Sequence, residues 1–159
     1  MQAAANQKKK IVKIAQFDQA GHPTGVVEVE KVVKTDAEWR QQLSAEAYQV
    51  TRHAGTERAF MNAFQGNHRD GLYSCVCCGT TLFDSKTKFD SGTGWPSFWA
   101  PIAKENVSVG TDLTLGMVRD EVSCTRCDGH LGHVFDDGPK PTGKRYCMNS
   151  ASMAFTARG

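Results

Sequence analysis

The sequence has no long hydrophobic run and no marked excess of either charge. No stretch approaches the roughly 18 consecutive apolar residues that a membrane-spanning helix needs. Lysine and arginine number 19 and aspartate and glutamate 17, so the net charge of +2 gives no argument for a nucleic-acid or membrane partner. We find no internal repeat and no low-complexity segment. These absences leave the composition of an ordinary globular protein with room for one domain.

The N-terminus also lacks the features of an intact secretory signal. Lys8, Lys9 and Lys10 are not followed by an apolar run, although a chain from which a leader had been removed would look the same. Six cysteines would suit disulfides, but a chain of this length does not need such cross-links, and the arrangement of the cysteines fits a metal site better. We therefore expect a reducing compartment, the cytoplasm.

Secondary-structure signals differ between the N-terminal third and the rest of the chain. Residues 11–33 contain two alternating apolar runs around a glycine- and proline-rich turn, which predicts a hairpin. Thr35 can cap a helix, with Glu38 completing a capping box, and Ser44 can cap a second helix that ends before Gly55. Further on, short apolar runs alternate with glycine, aspartate, serine and proline, which predicts antiparallel strands with tight turns.

Four of the six cysteines form two Cys-x-x-Cys pairs. A turn at this spacing directs two thiolates at one point, and two such turns complete a tetrahedron around zinc. Either pair could instead be a thioredoxin-like redox motif, which would need a strand-to-helix setting, or both could be disulfides. A four-thiolate site is closed, so we assign it a structural role. The expected ligands are Cys75, Cys78, Cys124 and Cys127.

Two cysteines lie outside these pairs. Cys77 stands between two of the expected ligands; we expect it to face away from the metal, with exchange for a ligand as the alternative. Cys147 is alone in "KRYCMNSAS". As a nucleophile it would have a lowered pKa next to a cation such as Arg145. The alternative is a buried, inert cysteine.

Polar and aromatic residues could complete a site around Cys147. His130 and His133 in "HLGHVF" would point to opposite faces of a regular strand, and only a bulge at Gly132 would turn both to one pocket. Asn149 shares a face with Cys147 in an extended segment. The alternative is that both histidines occupy ordinary surface or core positions. "SGTGWPSFW" is either a core cluster or a loop that presents a tryptophan for recognition.

Taken together, "SGTGWPSFW", "HLGHVFDDGPKPTGKRYCMNSAS" and the two cysteine pairs resemble the B-type methionine sulfoxide reductases, which reduce the R epimer at sulfur. The match runs from about Thr35 to about Phe155. The resemblance implies a mainly β fold of two small antiparallel sheets, of the Mss4-like or β-tent type, with short N-terminal helices and a structural zinc. It also implies an N-terminal extension with a hairpin over residues 1–34 and a reductase domain over residues 35–159.

The resemblance further implies a role for each site residue. Cys147 would be the nucleophile and His133 the leading proton donor, while His130 and Asn149 would help to hold the sulfoxide oxygen and a water. Trp95 would pack on the ε-methyl group of the substrate. Supporting roles in the polar network or the pocket would fall to Arg145, Asp137 and Phe155.

The chain departs from many members of that family at Thr93, where they carry a resolving cysteine. Threonine cannot form a disulfide, and Cys77 could replace that cysteine only after a large rearrangement. The sulfenic acid left on Cys147 would then be reduced by thioredoxin, glutaredoxin or a small thiol. Oxidised proteins or peptides are the expected substrates, with the free amino acid as a second candidate, and a monomer is the expected state.

A zinc-ribbon binding module is the competing hypothesis. The same four cysteines occur in proteins that bind nucleic acid or other proteins. The small net charge argues against a basic nucleic-acid surface. A binding module also has no need of Cys147 together with His133 and Asn149.

Overall fold

β-Strands dominate a computed structural model of the chain, which describes residues 10–113 and 118–158. The helices are α1 (Asp36–Gln42) and α2 (Ala45–Arg52), and single 3-10 turns span Ser85–Thr87, Lys104–Asn106 and Ser150–Ser152. The strands are β1 (Ile11–Phe17), β2 (Pro23–Glu30), β3 (Gly71–Cys75), β4 (Thr81–Asp84), β5 (Lys88–Phe89), β6 (Ser97–Phe98), β7 (Val107–Asp112), β8 (Arg119–Cys124), β9 (His130–Phe135), β10 (Arg145–Met148) and β11 (Met153–Ala157).

Two antiparallel sheets form the main body of the fold. The larger has six strands in the order β5-β6-β10-β9-β8-β7, and the smaller has three in the order β11-β3-β4. The prediction of a mainly β fold with two antiparallel sheets is confirmed, although the larger sheet is not small. β1 and β2 pair separately as a two-stranded hairpin.

The two helices begin where the capping signals place them. The backbone N–H of Glu38 donates to the Thr35 hydroxyl at 3.2 Å, and the Glu38 carboxylate accepts from the Thr35 N–H at 2.8 Å. Ser44 caps α2 through the N–H of Ala47 at 3.1 Å. These bonds satisfy donors that the first turn of a helix leaves free. Neither described helix has the length and apolar character needed to cross a membrane.

Aromatic rings join the two sheets. Phe83 from β4 stacks on Phe98 from β6 with ring centroids 4.3 Å apart, and Tyr73 from β3 meets Phe98 edge-on at 5.2 Å. All three side chains are fully buried. Aromatic pairs of this kind contribute about 0.5–1.5 kcal/mol beyond their area burial. They hold β6 in place beside β10, the strand that carries Cys147.

The hairpin is attached to the main body through a buried asparagine. The Ala15 N–H donates to the Asn106 carboxamide oxygen at 2.8 Å, and the Asn106 NH₂ group donates to the Ala15 carbonyl at 2.9 Å. At the other end, Lys31 forms an ion pair with Asp128, which directly follows the second cysteine pair. The hairpin therefore packs against the end of the fold that carries the cysteine cluster.

Candidate active site and cysteine cluster

A β-bulge shapes the strand that carries both histidines. Along β8, the consecutive residues Val122 and Ser123 pair with Gly132 and His130, so β9 has one extra residue, Leu131, at this point. The bulge lets the rings of His130 and His133 meet edge to face, with their centroids 5.3 Å apart. The alternative of two opposed histidines on a regular strand does not apply.

Strand register places the single cysteine beside a histidine. Cys147 pairs directly with His133 across β9 and β10, and with Ser97 across β6 and β10. Directly paired residues on antiparallel strands have side chains on the same face, with Cβ atoms roughly 4.5–5.5 Å apart. A Cβ on Gly132 would lie 2.0 Å from the Cys147 carbonyl oxygen, so this approach of the two strands requires glycine.

A pocket of about 100 Å³ opens in front of Cys147. It brings together the thiol and three of the side chains predicted for the site, which are a histidine, an asparagine and a tryptophan. Trp95 comes from a loop, as one of the two sequence interpretations proposed, and is half-buried. The residues that line the pocket include Thr56, Trp95, Arg119, His133, Phe135, Cys147 and Asn149.

Glu57, which the sequence analysis did not single out, connects two walls of the pocket. Its backbone carbonyl accepts from the indole N–H of Trp95 at 3.0 Å, and its N–H donates to the carboxamide oxygen of Asn149 at 3.0 Å. The Asn149 NH₂ group donates to the carbonyl of the bulge residue Leu131 at 3.1 Å. The aromatic wall of the pocket, Trp95, and its amide wall, Asn149, are therefore held at a fixed distance from each other.

The Glu57 side chain itself is buried. Its carboxylate accepts backbone N–H bonds from Ser150 and Ala151, the latter at 2.9 Å. Burial raises the pKa of Glu57, and the two backbone donors offset this only in part. A single glutamate in "GTERAF" has no spacing signal, so its contacts could be seen only in the folded chain.

Each histidine has a carboxylate partner that sequence reasoning also missed. Asp112 of β7 accepts from His133 Nε2 at 2.9 Å and also pairs with Arg119 at 3.4 Å. Glu121 of β8 accepts from His130 Nδ1 at 2.7 Å. The spacing of two residues between Arg119 and Glu121 in "RDEV" is the one sequence signal that they share a face of β8.

His130 lies behind His133 and is not among the residues that line the pocket. It is buried, and burial lowers its pKa, which the hydrogen bond and charge of Glu121 only partly offset. Because a carboxylate can only accept, Nδ1 carries the proton of the neutral ring. Nε2 is left as an acceptor, with no partner among the residues that the structure describes.

A group of hydroxyls surrounds Cys147 next to the pocket. The Thr93 hydroxyl lies 4.0 Å from its sulfur, and Ser91 bridges Thr93 and Ser97 with oxygen–oxygen distances of 2.8 Å to each. Burial raises the pKa of the Cys147 thiol, while the Thr93 hydroxyl and the Arg145 charge only partly offset the rise. The prediction of a lowered pKa is therefore wrong for the substrate-free protein, because desolvation of the thiolate is the larger effect.

Arg145 and Asp137, which were expected to support the polar network of the site, form an ion pair, and neither is among the residues that line the pocket. The Arg145 guanidinium donates to both carboxylate oxygens of Asp137, at 2.9 and 3.2 Å. It also lies over the Phe135 ring, 4.3 Å from the centroid. This two-point contact orients the guanidinium, whose charge acts on Cys147.

Phe155 is placed elsewhere, which corrects its assignment to the pocket. It belongs to β11 in the smaller sheet, where its ring packs against Tyr73 at 5.0 Å and Phe64 at 6.3 Å. It is not among the pocket-lining residues. Pairing of β11 with β3 places this side chain among the aromatic residues of that sheet.

The two Cys-x-x-Cys pairs come together as a cluster of four thiols. Their sulfur atoms all lie within 4.8 Å of one another, with Cys75 to Cys127 at 3.6 Å and Cys78 to Cys124 at 3.5 Å. Four sulfurs about 2.3 Å from a tetrahedral zinc would be about 3.8 Å apart. The arrangement therefore fits one such ion. Arg52 donates to the Cys127 carbonyl at 2.8 Å and brings a positive charge next to the thiols.

Cys77 lies beside this cluster, contrary to the expectation that it faces away. It is buried, and its thiol is near those of Cys127 and Cys75 and near the Thr51 hydroxyl. It is outside the group of four sulfurs that lie mutually within 4.8 Å. Gln42 of α1 donates to the Cys77 carbonyl at 2.8 Å, and Thr51 of α2 lies beside the Cys77 thiol.

Comparison with known proteins places residues 43–157 on the family model of the SelR domain. A peptide methionine sulfoxide reductase MsrB of Hahella chejuensis is 58% identical over 127 residues, which cover 80% of this chain and 91% of that protein. Proteins of the same name from Herminiimonas arsenicoxydans and Pseudomonas putida are 57% and 53% identical, over 80% and 82% of this chain and 93% and 99% of their own lengths. The β1–β2 hairpin lies outside the family match.

Proposed function

This chain belongs to the SelR family of methionine sulfoxide reductases, and from that premise we propose that it reduces the R epimer of methionine sulfoxide in oxidised proteins and peptides. The observation that carries the proposal is the direct pairing of Cys147 with His133 in a pocket that Trp95 and Asn149 also line. In this proposal Cys147 is the nucleophile, His133 the acid, Trp95 the aromatic surface and Asn149 the amide that meet the methyl sulfoxide group.

The first step joins the Cys147 sulfur to the substrate sulfur while the sulfoxide oxygen takes up a proton. His133 is the donor. Asp112 accepts from its Nε2–H, which leaves Nδ1 as the nitrogen that takes up the Cys147 proton and passes it to the oxygen. The carboxylate of Asp112 also stabilises the imidazolium form that this step consumes. The oxygen then moves from the substrate sulfur to the Cys147 sulfur and the bond between the two sulfurs breaks, so methionine leaves and Cys147 remains as a sulfenic acid.

The raised pKa of Cys147 fits this proton balance. A neutral thiol and a sulfoxide yield a sulfenic acid and a thioether with no net uptake of protons. The proton that leaves Cys147 can therefore be the one that the oxygen needs, carried by the directly paired His133. Neutral His130, which can accept at Nε2, serves to hold a water beside this pair.

Epimer selection follows from the two walls. Trp95 offers an aromatic surface to the ε-methyl group, while His133 and Asn149 offer donors to the oxygen. Exchange of the methyl group and the oxygen in the S epimer would place the oxygen against the indole ring, with no donor for it. Glu57 holds the two walls apart through its backbone, so the separation survives binding.

Recycling uses an external thiol. Thr93 occupies a position 4.0 Å from the Cys147 sulfur and has no thiol with which to form a disulfide. A thiol of thioredoxin, glutaredoxin or a small molecule attacks the sulfenic sulfur, water leaves, and a second thiol releases Cys147. Such a reductant pool suits the cytoplasm.

The cluster of four cysteines would hold one structural zinc, whose chemistry is to cross-link the segments after β3 and β8. Cys75 and Cys78 come from one segment, and Cys124 and Cys127 from the other, so a shared ion joins the two sheets. We further propose the division into an N-terminal extension over residues 1–34 and a reductase domain over residues 35–159.

Single-turnover analysis tests the proposed function. Purified protein is mixed with R or S methionine sulfoxide in an N-acetylated peptide, without reductant, and methionine and free thiols are counted. We expect one methionine formed and one thiol lost per chain, for the R epimer only. Cys147→Ser should form none, a loss of at least about 10³-fold. Turnover of both epimers, or methionine formed by Cys147→Ser, would contradict the proposal.

A further inference from the structure

We propose that Phe60 and Met61 form a docking surface for the unfolded polypeptide on either side of a methionine sulfoxide residue. This inference rests on the proposed function and deepens it, since it assigns the preference for protein-bound substrate to a surface beside the pocket. We call these two side chains the apolar shelf.

The apolar shelf is exposed to solvent. Phe60 is 62% exposed and Met61 68%, and no other aromatic side chain in the described part of the chain is exposed to this degree. An apolar ring in water contributes nothing to the stability of the fold. Unlike a single exposed apolar residue, these two neighbours form a small apolar patch that another molecule could cover.

The backbone that presents the apolar shelf is held in a disfavoured conformation. Phe60 has a φ of +64°, which residues with a Cβ rarely adopt. Its N–H donates to the Gly94 carbonyl at 2.8 Å, and the Asn62 NH₂ group donates to the same oxygen at 2.9 Å. Asn62 is itself fixed by the Ser150 hydroxyl at 2.9 Å. These hydrogen bonds anchor the backbone that presents the apolar shelf.

The same segment connects the apolar shelf to the pocket. The Phe60 ring lies over Gly94, so closely that a Cβ there would be 2.6 Å from it, and Gly94 directly precedes Trp95. At its other end, Glu57 accepts from the Trp95 indole. A methionine sulfoxide seated against Trp95 would therefore bring its neighbouring residues towards Phe60 and Met61.

An unfolded polypeptide is the occupant that fits these observations. Its apolar side chains are accessible, whereas in a folded protein most are buried. Methionine is flexible and polarisable and adapts to side chains of different shape, which suits a surface that meets many sequences. Free methionine sulfoxide has no flanking residues and would gain nothing from the apolar shelf.

Phe60→Asn is the sharpest test. Asparagine tolerates positive φ, so the variant removes the ring without adding backbone strain. The substrates are a denatured, methionine-oxidised protein and N-acetyl-methionine-R-sulfoxide. We expect the KM for the denatured protein to rise roughly five- to tenfold with kcat unchanged, because the lost contact is made equally in the ground and transition states. Kinetics with the small substrate should stay the same.

Two further variants complete the design. Met61→Ser should also raise the KM for the denatured protein, by a smaller factor than Phe60→Asn does. Val33→Asn is the matched control, because Val33 is 74% exposed and lies outside this segment. It should change the kinetics with neither substrate. Thermal melting of each variant checks that the fold is intact.

The remaining outcomes separate the hypotheses. An equal loss of kcat/KM with both substrates would mean that Phe60 supports Trp95. Unchanged kinetics with both substrates would mean that the surface is not used. Either result overturns the inference. Concentration-dependent dimerisation that Phe60→Asn abolishes would make a second copy of the chain the occupant. If the unchanged protein reduces neither substrate, the proposed function itself fails.

Discussion

Cysteine occurs in this protein in two settings that differ in what surrounds the sulfur. In the cluster, four sulfurs face one another within 4.8 Å, and no substrate could enter between them. At the pocket, the sulfur of Cys147 faces a histidine, an asparagine and a tryptophan, with hydroxyls next to it. The thiol group is the same in both. In the proposed function, its neighbours decide whether it is a metal ligand that joins two sheets or a nucleophile that receives an oxygen.

The first prediction breaks the closed setting and has the largest expected effect. Cys124→Ala removes a fully buried member of the cluster. We expect loss of the bound metal and destabilisation by several kcal/mol, since metal binding and folding are coupled in such sites. A fall in melting temperature of roughly 10 °C or more would follow. Metal content per chain and thermal melting measure both effects.

Cys77→Ala is the matched control, because this thiol is buried beside the cluster but outside the group of four. It should retain one metal ion per chain and melt only a few degrees lower. If Cys77→Ala lost the metal and Cys124→Ala kept it, the ligand assignment would be wrong.

The second prediction concerns the open setting. Asp112→Asn removes the carboxylate that balances the positive charge of the doubly protonated His133 ring, so proton transfer through His133 should be slower. We expect kcat for the R epimer to fall roughly 10- to 100-fold with little change in KM, a part of the contribution that general acid catalysis usually makes. Steady-state kinetics with a thiol reductant measure the effect.

Asp120→Asn controls for the general change in charge, because Asp120 is an exposed carboxylate on β8, the strand that pairs with β7 of Asp112. It should leave both constants as they are. A higher KM with unchanged kcat in Asp112→Asn would assign Asp112 to substrate binding instead.

The third and smallest effect concerns the acidity of Cys147. Burial raises the pKa of the Cys147 thiol, so its thiolate forms at higher pH than the thiolate of an ordinary cysteine does. Alkylation should therefore speed up as the pH rises through this raised pKa. Thr93→Val removes a hydroxyl that lowers this pKa, so the midpoint of the rate profile should move to still higher pH. Alkylation by iodoacetamide, followed at the Cys147 peptide by mass spectrometry, gives the profile.

Thr93→Ser keeps the hydroxyl and should leave the midpoint near that of the unchanged protein. A midpoint below that of an ordinary cysteine in the unchanged protein would show that the Arg145 charge exceeds the effect of burial. That result would restore the expectation based on sequence alone.

Local signals were enough to predict much of the fold. The capping box of Thr35 and Glu38 requires only contacts three residues apart, and it forms as expected. The spacing within each cysteine pair likewise brings two thiols together through a single turn. Residues 11–33 form a hairpin because alternation and turn residues are both properties of a short segment.

Contacts across long separations could not be predicted in this way. Glu57 meets Asn149 although 92 residues separate them, and no pattern in either segment indicates it. The same holds for Phe155, which packs in the smaller sheet because β11 pairs with β3. It also holds for Cys77, whose thiol lies beside the distant residues Thr51 and Cys127.

The sequence by itself determined the cysteine spacing that indicates a metal cluster, and its resemblance to the methionine sulfoxide reductases indicated a thiol site at Cys147. Only the tertiary structure decided how those residues are set. The bulge at Leu131 brings the rings of His130 and His133 into contact, and Asp112 fixes which ring nitrogen of His133 donates to it. Burial raises the pKa of Cys147. These properties depend on desolvation and on strand register, and both arise only when distant segments pack against each other.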